Sequence, residues 1–166
     1  MMRYKIREKI FSFADRFTIK NEMDEPCYTV RGKVFSFGNK LFLEDLQGNE
    51  LVYIEQKLFR WLPEYHLFRN GQEMAMVKRK FSFFRPKFEI FSELGDFTVE
   101  GNFWAHEFSI LQNGLTVASI SKKWFSFSDS YGVEIANTEQ TELLLALTIV
   151  LDQVLYDRRG SSSSSN

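Results

Sequence analysis

The chain has 166 residues, 44% of them hydrophobic and 26% charged, which suits one globular domain with its own core and excludes a disordered or collagen-like chain. Its 21 lysines and arginines stand against 22 aspartates and glutamates, a net charge of -1, so there is no bulk positive field to hold nucleic acid. The lone cysteine, Cys27, excludes an internal disulfide, and no basic start leads into an apolar run; both point to a reducing, cytoplasmic setting.

Aromatic residues make up 16% of the chain, and its phenylalanines fall on a repeat. Phe11, Phe35, Phe59, Phe81, Phe103 and Phe125 are spaced 24, 24, 22, 22 and 22 residues apart. Four of them open a Phe-Ser-Phe triplet, and five have a lysine or arginine two positions earlier. A period of this size marks repeated supersecondary units.

In chain order, turn signals divide each unit into a hairpin. They are Asn21 to Glu25, Gln47-Gly48-Asn49, Asn70-Gly71, Leu94-Gly95-Asp96 and Asn113-Gly114; the two Asn-Gly pairs are the strongest, since a type I′ turn needs positive φ at both central residues. Second breaks come after the Phe motifs at Gly38-Asn39, Pro63-Glu64, Arg85-Pro86 and Ser128-Asp129-Ser130. The spacing predicts long strands near 3–13, 26–37, 50–62, 72–84, 97–105 and 115–127, each with a shorter partner, hence about twelve strands. Alternation puts Phe11 and Phe13 on one face with Arg3, Lys5, Arg7 and Lys9, so the first strand is expected to change environment along its length, with its Phe-x-Phe end buried. Burying a Phe is worth roughly 1.5–3 kcal/mol, so the aromatics at the repeat positions are assigned to the core. An exposed aromatic ring that binds a membrane or a partner is the alternative.

From Thr138 the texture becomes helical, with Asn137 or Thr138 as N-cap, Glu139 and Glu142 at the positive end of the dipole and Arg158 and Arg159 at the negative end. Residues 139–157 are predicted as helix. Its middle, from Leu143 to Leu155, is apolar on all sides, so it must be enclosed. That apolar stretch spans about 20 Å, too short for a hydrocarbon layer of about 30 Å, and Asp152 interrupts it. No transmembrane segment is expected. The run Gly160 to Asn166 is a solvated serine tail.

Twelve strands and one enclosed helix have a joint solution. Open twisted sheets of more than about ten strands curl or split, closure removes exposed edges, and a barrel of more than about eight strands leaves an interior that side chains alone do not fill. The expected fold is mainly β: a closed twelve-stranded antiparallel barrel of six hairpin repeats enclosing the apolar C-terminal helix, one domain over 1–159. A two-layer sandwich with the helix across one open end is the alternative.

The run Phe42 to Lys57, with its acidic-x-x-Gly turn at Asp45 to Gly48, apolar strand and Lys57, resembles the turn-to-lysine pattern of the LURP-one-related family. Ser130 to Ile135, with the apolar helix into Asp152 after it, resembles that family's C-terminus. The resemblance covers nearly the whole chain and fits a small bacterial-type member. It implies the tubby C-terminal-like fold shared with the phospholipid scramblases, a twelve-stranded barrel threaded by a C-terminal helix. Tubby domains bind phosphoinositide headgroups through basic residues on the barrel; no tubby motif is present here to carry those positions over, nor are the cysteine-rich or calcium-binding segments of scramblases.

Catalytic patterns are missing. His66 and His106 lie far apart, no nucleophile elbow or phosphate loop occurs, and Ser12, Ser36, Ser82 and Ser126 recur too often to be nucleophiles. The two histidines read as surface or strand-end residues, and Cys27 lacks the paired spacing of a metal ligand. No cofactor or metal is expected, and the reading is non-enzymatic. The candidate site is electrostatic: Lys78, Arg79, Lys80, Arg85 and Lys87 around one break, with Lys122 and Lys123 in the corresponding place two units later. Converging at one barrel end, they would hold anionic lipid headgroups; a solvated face balanced by Glu89 and Glu93 is the plainer reading. The expected role is a monomeric, cytoplasmic binding or scaffold module, peripheral at an anionic phospholipid surface. A module that binds only protein partners, or a small-ligand carrier, is the alternative.

Overall fold

Turn chemistry sets where the strands begin. Asn70 and Gly71 have φ of 50° and 76°, and Asn113 and Gly114 have φ of 52° and 77°, the doubly positive turn that Asn-Gly favours. The computed structural model describes residues 1–7, 16–33, 38–124 and 130–156. Its strands are β1 (Met2–Arg7), β2 (Arg16–Asn21), β3 (Pro26–Gly32), β4 (Lys40–Glu44), β5 (Glu50–Gln56) and β6 (Glu64–Arg69). They continue with β7 (Gln72–Lys80), β8 (Lys87–Ser92), β9 (Phe97–Asn102), β10 (Glu107–Gln112), β11 (Leu115–Ser121) and β12 (Ser130–Ile135), and the chain then enters α1 (Thr141–Tyr156). Each strand pairs antiparallel with the next, and β1 closes the barrel on β12 in the register Met2 with Ile135.

Side chains of one parity fill the interior: Tyr4 and Ile6, Leu41 and Leu43, Val52 and Ile54, Tyr65 and Leu67, Ala75 and Val77 are all buried. The helix stands inside this lining, with Leu143 to Leu147 and Ile149 to Leu151 at 2% exposure or less. Asn137 opens it as expected: its side chain accepts a hydrogen bond from the Glu139 amide at 3.2 Å and caps a 3-10 turn, Thr138–Gln140. Arg158 and Arg159, expected at the far end, and the serine run from Gly160 to Asn166 lie outside the described residues.

The predicted strand starts match, but the predicted strand ends do not. β5 stops at Gln56 rather than near 62, β7 at Lys80 rather than near 84, β9 at Asn102 and β11 at Ser121. Each gives way to a bend, a turn or a 3-10 segment, Phe103–Ala105 and Lys122–Trp124 among them. The odd-numbered strands all finish at one rim, because the barrel runs up and down without crossing. The α1 axis spans about 24 Å, while a six-residue strand tilted near 40° gives a wall of only about 15 Å. The rim segments therefore wall in the last helical turns: Asp152, Gln153 and Val154 remain buried.

Candidate functional site

Among the described residues, the motifs at Phe59–Trp61 and Phe81–Phe83 cap that rim, and they point outward where the sequence pattern placed them in the core. Phe59 is fully exposed, Trp61 is 84% exposed, and Phe81, Phe83 and Phe84 are exposed as well. The reason is strand length. Once pairing ends, the alternation that aims side chains inward no longer applies, and α1 has already filled the interior. Among the described repeat positions only Phe103 meets the original expectation, buried between Phe88 and Phe108 at ring separations of 5.8 and 5.5 Å. Phe11, Phe13, Phe35, Phe37, Phe125 and Phe127 lie outside the described residues. Among the described residues, every exposed Phe or Trp except Phe91 sits on this rim, Trp104 included.

The crown is locally ordered by its own contacts. Trp61 from the β5–β6 connection stacks on Phe81 from the β7–β8 connection at 5.9 Å and 16°, and Phe83 meets Phe81 edge-on at 4.9 Å. Below them Glu64, the first residue of β6, is a buried hub. Its carboxylate takes His66 Nε2 at 2.8 Å, Arg60 at 3.4 Å and Lys78 at 3.5 Å. The His66 hydrogen bond, with the Lys78 and Arg60 charges, holds Glu64 below the ordinary carboxylate range. His66 also contacts Glu73 and stacks on Phe68, so, within the surface setting expected of it, it is a half-buried bridge on the outer wall.

All seven basic candidates lie at this rim: Lys78, Arg79 and Lys80 at the end of β7, Arg85 and Lys87 across its connection, Lys122 and Lys123 beyond β11. They do not act as one block. Lys78 and Lys80 face the outer wall and are engaged by Glu64 and by Glu89, the latter at 3.2 Å. Arg79, Arg85, Lys87 and Lys123 have no ion pair among the described residues. The connection after β9, with Trp104, separates the Arg85 and Lys87 side from the Lys122 and Lys123 side.

The interior beneath the rim holds a polar layer that sequence reasoning missed. His106 is buried in a left-handed conformation, φ 51°, with Nε2 at 3.3 Å from Asp152 and its ring 5.7 Å from that of Tyr131. Asn39 donates to the Tyr65 hydroxyl at 3.0 Å and to Gln153 at 3.3 Å. These contacts tie the end of α1 to the segments that carry the crown. His106 is the strand-end residue expected, directly before β10, but it is not on the surface: the helix outruns the strands, so a rim residue becomes a core residue. Asp152, an acid in an apolar helix, was the signal. Cys27 lies half-buried on β3, its thiol pushed up by burial, and no group of three potential metal ligands occurs among the described residues. No described helix is long and apolar enough to cross a membrane.

A closed twelve-strand antiparallel barrel around one apolar helix, with chemistry gathered at one rim, defines a barrel class in which the core is a helix rather than a ligand cavity. The chain belongs to the LURP-one-related family, whose pattern it matches over residues 2–152. It is 37% identical over 162 residues to YxjI of Bacillus subtilis (strain 168), described as uncharacterised, covering 98% of this chain and 99% of that one. Among solved structures it resembles a protein of Arabidopsis thaliana, with a TM-score of 0.68 and 19% identity over 92% of this chain and 90% of that one, a likeness of fold alone.

Proposed function

We propose that the protein is a non-enzymatic binding module that seats its aromatic rim end-on against an anionic membrane surface. The observation that carries this reading is the coincidence, on one rim, of exposed Phe59, Trp61, Phe83, Phe84 and Trp104 with Arg79, Arg85, Lys87 and Lys123, cations that no described carboxylate neutralises. Aromatic rings favour the headgroup boundary, where one side of the ring is apolar and the other wet. Each cation near an anionic leaflet adds about 1 kcal/mol. Neither term suffices alone, but an apolar and a basic signal on one face are the two signals that stable peripheral binding takes.

The test is sedimentation of the protein with vesicles of neutral lipid, phosphatidylserine or phosphoinositide across a salt series. Binding to anionic vesicles that falls with salt, falls in Arg79→Ala/Arg85→Ala/Lys87→Ala, and falls separately in Trp61→Ser/Phe84→Ser supports the reading. Lack of binding to every vesicle, or binding indifferent to both sets of substitutions, refutes it.

A further inference from the structure

The barrel is not evenly zipped. Six residue pairs join β7 to β8, and six join β9 to β10, but β8 and β9 meet at the single pair Ile90 with Phe97. Above that pair Lys87, Phe88 and Glu89 on one side, and Thr98, Val99 and Glu100 on the other, have no strand partner across the seam. The gap opens onto the rim as a cavity of about 850 Å³ lined by Phe84, Arg85, Lys87, Val99, Gly101 and Trp104 with their neighbours. That is the size of a ligand cleft. Its floor is closed by Phe103, wedged between Phe88 and Phe108, so it does not lead into the core.

We propose that this seam binds an extended acidic peptide of a partner protein as an added strand. Two facing strand edges present alternating amide donors and carbonyl acceptors. An acyl chain would bury them unsatisfied, whereas a peptide main chain supplies both, and the alternating side chains of the added strand meet Val99 and Phe103 below and solvent above. The charge selects an acidic segment: Arg85 and Lys87 lie on one lip without ion pairs among the described residues, against Glu100 on the other, while Glu89 is already held by Lys80. The site shares Phe84, Arg85, Lys87 and Trp104 with the face proposed to meet the membrane, but it rests on the unpaired strand edges rather than on that reading and is tested without vesicles.

The probe is a fluorescein-labelled octapeptide of alternating Glu and Val, read by anisotropy, with a Lys-Val octapeptide and a form N-methylated at the Val residues as controls. Expected is binding at least about tenfold tighter than either control, lost about tenfold in Arg85→Glu/Lys87→Glu, with amide shift changes confined to 87–89 and 98–101. A second variant, Arg85→Gln/Lys87→Gln, should weaken binding less than the charge reversal and leave the N-methylated peptide as weak as before. Equal affinity of the N-methylated peptide, shift changes elsewhere, or absence of peptide binding overturns the proposal. So does displacement of those same shifts by dihexanoyl phosphatidylserine when the peptide leaves them unmoved.

Discussion

Glu64 and Gly101 show how single residues hold the rim in place. Glu64 is buried against three cationic or ionisable partners and is held below its ordinary range. A carboxyl depressed in the folded state contributes stability above its unfolded value, about 4.3, and that contribution is lost as pH falls through the lower folded value. Glu64→Gln should therefore destabilise the protein by about 1–3 kcal/mol at neutral pH, with the difference shrinking as the medium is taken below about pH 4; melting curves of both proteins across pH 3–7 test it. A constant difference would remove Glu64 from the charge network. Gly101 has φ 137°, and a Cβ there would lie 2.5 Å from the Glu107 carbonyl oxygen and 2.6 Å from the Phe108 Cα. Gly101→Ala is expected to cost at least about 1–3 kcal/mol from conformation alone, read as a fall in the urea midpoint. Because this glycine stands where β9 turns over the Phe103 wedge, the same variant should disturb Trp104 fluorescence.

At the scale of elements, the helix is the organising part and the rim loops are fitted to it. Leu147 is fully buried at the centre of the barrel, so Leu147→Asp places an unpaired charge there and should abolish cooperative unfolding, while Leu147→Ala should cost about 2–5 kcal/mol. A Leu147→Asp protein that melts cooperatively would contradict the central placement of α1. Strand starts were legible because Asn-Gly turns demand a backbone that few other residues adopt. Strand ends were not legible, since Phe81-Ser82-Phe83 alternates like a strand and is rich in strand formers, yet pairing stops at Lys80. Nothing local distinguishes an aromatic that enters a core from one that leaves it; that depends on the interior already being filled by a segment some 60 residues further on. The basic candidates could be read as a group from spacing alone, but the division between paired Lys78 and Lys80 and unpaired Arg79, Arg85 and Lys87 needed Glu64 and Glu89 in three dimensions.

At the scale of the whole molecule, the protein has two unlike ends. The rim that receives β1, β3, β5, β7, β9 and β11 carries the crown, whereas the opposite end is closed by turns such as Asn70-Gly71 and by the ion pair of Arg69 with Glu142 at 2.7 Å. If the crown serves binding rather than the fold, removing it should spare stability. Phe59→Ser/Phe84→Ser/Trp104→Ser, three exposed side chains, should change the melting temperature by less than about 4 °C while weakening vesicle binding. A large drop in melting temperature would return these rings to the structural core.

Closure by Met2 against Ile135 also governs how the polypeptide comes into being. A ribosome delivers eleven strands before β12 exists, and the helix that fills them emerges later still. Until then the growing chain is an open sheet with an apolar inner face and two unpaired edges. Such a long-range topology folds in milliseconds to seconds once complete, but during synthesis its apolar lining and strand edges stay open to aggregation. Translation stalled before residue 141 should leave a fragment that aggregates or is degraded, making α1 the checkpoint that separates a finished molecule from waste.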